Sequence, residues 1–187
     1  MDHFSNRFAA AYHADVIAAP VRSTKRYCYP GAIENGEVHG IGVEFQPIGL
    51  EPWFATFAAG SISPNAVNVA LYHPNPSEAL VVSRGDGYVV DVSDPTRWSE
   101  VPRRPIMGLI SIEEMGTIIL WDFTKFVAIG ADGIRWTTPH LSWDGIREVR
   151  REEDHLVGEV WDATKSSWAR TSIAISDGSF EGGASPG

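Results

Sequence analysis

Leu120-Trp121-Asp122-Phe123, Ala128-Ile129-Gly130-Ala131-Asp132-Gly133-Ile134-Arg135-Trp136 and Leu141-Ser142-Trp143-Asp144-Gly145-Ile146 follow one another closely in the chain. Val160-Trp161-Asp162, Trp168 and Asp177-Gly178-Ser179-Phe180-Glu181-Gly182-Gly183 complete the stretch whose reading decides the fold. It holds five of the seven tryptophans, each beside a turn signal or on an apolar segment. Asp-Gly supplies the positive-φ residue that a short hairpin needs, so the pattern reads as β-hairpins joined by tight turns. Asp132-Gly133 in particular is expected to turn the chain between strands near Phe126–Gly130 and Ile134–Thr137.

Working outward, Ile41 to Phe45, Trp53 to Ala58, Ala66 to Tyr72, Ala79 to Ser83 and Tyr88 to Val92 read as further strands. Arg84-Gly85-Asp86, an adhesion tripeptide in secreted proteins, reads here as turn chemistry. Short segments with turns every eight to twelve residues predict an all-β, mainly antiparallel fold, sandwich-like or propeller-like. Trp-Asp recurs at 121, 143 and 161, and the outer two are 40 residues apart, a blade-like period. Trp143 breaks that period, and seven blades would need roughly 280 residues. A single twisted or sandwiched sheet system is therefore preferred over propeller-like hairpins.

Phe4, Phe8, Tyr12 and Val16 recur every fourth residue among alanines and predict an amphipathic N-terminal helix. Residues 1–19 are accordingly assigned to a helix packed on the domain, 20–181 to a single antiparallel β domain and 182–187 to a flexible tail. Asn35-Gly36 is a type I′ hairpin candidate.

The chain has 187 residues, a net charge of −9, 43% hydrophobic and 21% charged residues. These are globular values. The acidic field repels phosphate backbones and argues against nucleic acid. One cysteine, Cys28, rules out an internal disulfide and is expected to be buried. No signal-peptide pattern and no membrane-length apolar run is visible, so a cytoplasmic protein without a membrane partner is expected.

The combination Asp132-Gly133-Ile134-x-Trp136, Leu141-Ser142-Trp143-Asp144-Gly145-Ile146, Gly158-x-x-Trp161-Asp162 and Glu181-Gly182-Gly183 resembles a loose group of small bacterial proteins of unknown function. The similarity covers the C-terminal two-thirds. It implies an all-β fold and no particular activity.

Signatures of chemistry are scarce. None of the six histidines forms a His-x-His or His-x-x-x-His pair, and a metal set would need residues such as His73, His140 and Asp144 assembled across strands. No nucleophile elbow, dinucleotide or phosphate-loop motif occurs. No catalytic residue, metal or cofactor is assigned. The expected role is a non-enzymatic module that binds another protein, of adaptor or immunity type. The alternative is a small-ligand or enzymatic pocket lined by Trp136, His140 and Trp143, with histidine set between two aromatics.

Among the tryptophans, Trp121, Trp143 and Trp161 are expected to pack inside, and Trp53, Trp98 and Trp136 to be the more exposed. Strand alternation puts Glu159 beside Trp161, where it needs a basic partner from Arg147, Arg150 or Arg151.

Overall fold

The structure, a computed structural model, describes residues 3–61 and 63–184. The first sheet contains β1 (Tyr12–Val16), β2 (Lys25–Tyr29), β3 (Ile33–Glu34), β4 (Gly40–Pro47) and β5 (Trp53–Ala58), in the order β1-β4-β5-β2-β3. Only its β2–β5 pair is parallel. Three four-stranded antiparallel meanders follow in chain order. The second sheet is β6 (Val69–Tyr72), β7 (Glu78–Ser83), β8 (Asp86–Asp91) and β9 (Trp98–Glu100). The third is β10 (Gly108–Ile112), β11 (Thr117–Trp121), β12 (Phe126–Gly130) and β13 (Gly133–Thr137). The fourth is β14 (Ile146–Glu152), β15 (His155–Asp162), β16 (Ser167–Ala174) and β17 (Phe180–Gly182).

The sheets stack face to face, and three apolar clusters fill the spaces between neighbours. Phe45, Trp53 and Phe57 meet Val81, Tyr88 and Val90 between the first and second. Leu71, Leu80 and Val82 meet Leu120, Val127 and Ile129 between the second and third. Ile119, Phe126 and Ala128 meet Leu156, Val160 and Ile173 between the third and fourth. Each large apolar side chain buried this way contributes about 1.5–3 kcal/mol. The chain is all-β in four successive sheets, not one two-sheet sandwich.

The stacking explains the sequence pattern. Strands covered on both faces are apolar at nearly every position, as in Ala79-Leu80-Val81-Val82 and Ile118-Ile119-Leu120, all buried. The fourth sheet has one covered face, so β16 alternates between interior and surface. Aromatic hydroxyls and an indole bridge the first interface. Tyr12 donates to Glu78 O (2.9 Å), Tyr29 to Pro95 O (2.6 Å), Tyr88 to Ala58 O (3.1 Å) and Trp53 Nε1 to Val92 O (2.9 Å).

The N-terminal helix is absent from the described residues. Tyr12–Val16 is instead a strand paired with β4, its Tyr12, Ala14 and Val16 turned to the core and His13 and Asp15 outward. A spacing of four satisfies a period of two as well as a helical period, and the chain takes the ladder available at β4. Met1 and Asp2 of the assigned helix lie outside the described residues. The only helical element described is one 3₁₀ turn, Glu113–Met115, and no helix there is long and apolar enough to cross a membrane.

At the other end, Gly182 belongs to β17, Gly183 N–H donates to Arg170 O and Ala184 N–H to Leu141 O. The assigned tail from 182 is thus anchored through 184, and 185–187 lie outside the described residues. The Asp132-Gly133 turn falls where expected, joining β12 to β13, with Gly133 at φ +107°. Arg84 and Gly85, both at positive φ, turn β7 into β8. Asn35-Gly36 makes no two-residue hairpin; the turn into β3 is formed earlier, at residues 30–32.

Trp53 is only 3% exposed, a correction to its expected exposure, because it sits on the core-facing side of β5. Trp161 is half-buried on the outer face of the fourth sheet; Leu156 and Val160 fill the covered face instead. Glu159 finds Arg147, whose Nε donates to its Oε2 at 2.8 Å. Cys28 is buried.

Candidate functional site

Leu80 and Val82 of β7 face the third sheet, so Glu78 points the same way. The two-residue turn at Arg84-Gly85 fixes the β7–β8 register and puts Asp91 opposite Glu78. The β6–β7 register ends with Tyr72 opposite Ala79, which carries His73 alongside Glu78. A polar row results across the end of the second sheet: His73, Glu78, Asp91 and Arg97.

His73 is 1% exposed. Its Nδ1 accepts the Asn75 N–H at 3.1 Å and lies 3.2 Å from Glu78 Oε2. The ring proton therefore belongs on Nε2, and that buried nitrogen has no hydrogen-bond partner among the described residues. Burial pushes the imidazole down to about 4, so the ring is neutral. Burial, and then the charge of Asp91, push the Glu78 carboxyl above its ordinary value, against a smaller pull from Arg97. Arg97 is taken by Asp91, which also accepts from Ser93 N–H (2.8 Å) and Oγ (2.6 Å). Burial alone would raise Asp91; these bonds and Arg97 hold it below the ordinary carboxylate range.

A cleft of about 450 Å³ lies over the His73–Glu78 end of this row, between the second sheet and the β12–β13 hairpin. His73, Asn75 and Glu78 form one side with Val89 and Ser99, and Ile129, Asp132 and Ile134 form the opposite lip. Polar and apolar groups share the lining about equally.

A second feature occupies the outer face of the fourth sheet. Trp161 and Trp168 are cross-strand partners whose rings meet edge-on, centroids 5.4 Å apart. The Arg147 guanidinium lies 4.0 Å over the Trp168 ring while pairing with Glu159. Trp143 is 45% exposed, and its N–H donates to Trp161 O at 3.0 Å. Two tryptophan rings and an arginine thus gather on this face, with the backbone of Trp143 bonded alongside. A shallow groove of about 820 Å³ runs along this sheet past His155, Arg170 and Glu181.

Of the sequence-derived pocket residues, Trp136 is half-buried between the third and fourth sheets, its Nε1 donating to Ile175 O at 3.0 Å. His140 is exposed on the loop after β13, and Trp143 is bonded through its backbone to Trp161. None of the three lines either cleft described above. His73 sits in the buried row, while His140 and Asp144 are exposed on the loop before β14. Among the described residues no group of three or more His, Cys, Asp or Glu is placed to hold a metal ion. Glu78, Asp91 and Arg97 were not singled out from the sequence. The signal for the first pair was present, since a two-residue turn at 84–85 dictates that Glu78 faces Asp91.

No family model matches the chain, and no curated protein matches it. Among solved structures the chain is similar to one chain of an S. cerevisiae Dbp5 variant bound to Nup159, Gle1, IP6 and ADP, at 9% identity with a TM-score of 0.45. It is also similar to the N-terminal domain of Nup159, at 9% identity with a TM-score of 0.44. Both alignments cover 97% of this chain and 52% of the other. The computationally designed Ika8 protein is similar at 10% identity and a TM-score of 0.40, over 85% of this chain and 52% of that one. The chain thus spans about half the length of each.

Proposed function

We propose that this protein is a non-enzymatic protein-binding module and that the outer face of its fourth sheet is the binding surface. The observation that carries the reading is the Trp161–Trp168 ring pair with Arg147 stacked on one ring, next to the exposed Trp143, whose backbone N–H donates to Trp161 O. Tryptophan and arginine are the side chains on which binding energy concentrates at protein interfaces. Here the indoles have one end packed and one end wet, so little side-chain freedom is lost when a partner covers them. The occupant is a protein segment that lays an apolar side chain on the indoles of Trp143 and Trp168, with Arg147 and Glu159 at the rim.

The test is affinity capture from a lysate of the source organism by wild type, Trp143→Ala and His140→Ala. The reading requires a protein held by wild type and His140→Ala and reduced at least tenfold by Trp143→Ala. Equal capture by all three overturns it. So does saturable quenching of the tryptophan fluorescence by neutral oligosaccharides, which also stack on indole faces, with no protein retained.

A further inference from the structure

We propose that the cleft between the second sheet and the β12–β13 hairpin is a binding site for a small amine, one with a primary ammonium group, an apolar body and a hydroxyl or carbonyl acceptor. The site is separate from the tryptophan surface of the fourth sheet and does not depend on it.

Three observations specify this ligand. The first is an unmet donor. His73 forms part of the cleft, is 1% exposed, and holds its proton on Nε2 because Nδ1 is occupied by the Asn75 N–H. Nε2 has no acceptor among the described residues, and a buried donor left unpaired is destabilising. An acceptor atom on a ligand removes that cost.

The second is a shortage of positive charge. Glu78 and Asp132 both line the cleft. No lysine or arginine lines the cleft. Of those nearby, Arg97 pairs with Asp91 and Arg104 with Glu100 and Asp86. Arg135 donates to Met115 O and Thr117 Oγ1, and Arg103 to Pro102 O. Asp132, at the hairpin tip, makes none of the ion pairs found among the described residues. Glu78 is half-buried beside the neutral His73 ring and faces a second carboxylate across the ladder. An ammonium between Glu78 and Asp132 supplies the missing charge; an anionic ligand would add to the repulsion.

The third is the wall. Val89, Val101, Pro102, Ile129 and Ile134 give the cleft its apolar surface, and Ile134 is 54% exposed. A volume of about 450 Å³ suits a ligand the size of an aromatic or short aliphatic amine.

The probe is tyramine, compared with 4-ethylphenol, which lacks the charge, and 4-hydroxyphenylacetate, which reverses it. Binding is followed by calorimetry and by the imidazole ¹H–¹⁵N resonances of His73. The expected result is saturable tyramine binding that moves the Nε2–H signal, with both analogues at least tenfold weaker. Asp132→Asn, a substitution suited to a turn, should keep the fold and weaken tyramine at least tenfold. Glu78→Gln should do the same. The proposal is overturned if tyramine leaves the His73 signals unmoved. Binding of either analogue as tight as that of tyramine, or unchanged affinity in folded Asp132→Asn, overturns it as well.

Discussion

Asp122 and Asp162, 40 residues apart, close the central hairpins of successive sheets with the same bonds. Asp122 Oδ1 accepts from Thr124 N–H (2.6 Å), Thr124 Oγ1 (2.9 Å) and Lys125 N–H (2.8 Å). Asp162 Oδ1 accepts from Thr164 N–H (3.0 Å), Thr164 Oγ1 (2.6 Å) and Lys165 N–H (3.3 Å). The sequences Trp121-Asp122-Phe123-Thr124-Lys125 and Trp161-Asp162-Ala163-Thr164-Lys165 are thus one structural phrase used twice. The aspartate replaces backbone partners that a four-residue connection cannot provide for itself.

The Thr164 hydroxyl, and then Lys165, hold the Asp162 carboxyl down to about 2. A carboxylate whose folded value lies below its unfolded value of about 4 stabilises the fold above pH ~4, and that stabilisation fades as pH falls toward 2. Thermal melts should therefore place Asp162→Asn below wild type at pH 5 to 7. The gap should close between pH 4 and 2. A gap independent of pH would mean that the charge of Asp162 contributes nothing.

Glu44 is 1% exposed, and its Oε1 accepts from the N–H groups of Val21 (2.9 Å), Arg22 (2.8 Å) and Ser23 (3.0 Å) and from Ser23 Oγ (2.9 Å). Burial pushes the carboxyl up, but these donors win and hold it below the ordinary range. Glu44→Ala would leave the buried N–H and hydroxyl of Ser23 without their acceptor, and a cost of about 1–3 kcal/mol is expected. Denaturant unfolding checks this, and amide exchange at Val21–Ser23 should quicken in the same variant.

Gly133 and Gly108 separate two ways in which a glycine can be required. Gly133 is at φ +107° with nothing within 4 Å of an added Cβ, so Gly133→Ala should cost about 1 kcal/mol or more through backbone strain alone. At Gly108 an added Cβ would lie 2.1 Å from the Trp121 ring. Gly108→Ala should therefore be the more damaging, and pairing it with Trp121→Leu should recover part of the loss. Melting temperatures of the three variants decide the matter.

Trp53 and Trp161 should respond in opposite ways. Trp53→Ala empties a site that is 3% exposed and releases the bond to Val92 O, for an expected loss of about 3–5 kcal/mol. Trp161, half-buried on the wet face of the fourth sheet, should cost clearly less. Equal losses in denaturant unfolding would place Trp161 among the structural tryptophans.

What was legible in the sequence was local. Asp132-Gly133 and Arg84-Gly85 name their turns because backbone conformation there depends on a neighbouring pair of residues. The strand character of Val127-Ala128-Ile129 is equally plain. What was not legible depends on partners far along the chain. Phe4, Phe8, Tyr12 and Val16 fit two periods, and only the presence of β4 selects the strand. Trp53, flanked by Pro52, looked exposed because proline marks a loop, but the face it turns inward is set by pairing with β4 and β2. Trp136, His140 and Trp143 looked convergent because they are near in sequence, whereas His73, Glu78 and Asp91 converge through register across three strands.

The segment from His3 to Phe8 has a bearing on how the chain reaches this fold during synthesis. Phe4 N–H donates to Ala70 O (2.6 Å), and the Asn6 side chain donates to Tyr72 O (2.7 Å) and accepts from Tyr72 N–H (3.0 Å). Phe4 packs into the first interface and Phe8 into the second. Its hydrogen-bond partners are about 66 residues downstream, so on a ribosome adding 5–20 residues per second it waits several seconds without them. The third and fourth sheets, whose strands pair with immediate neighbours, can form as they emerge. This segment thus waits for β6, which is made before either of those sheets, and a chaperone that covers it meanwhile would act on the step that joins it to the second sheet.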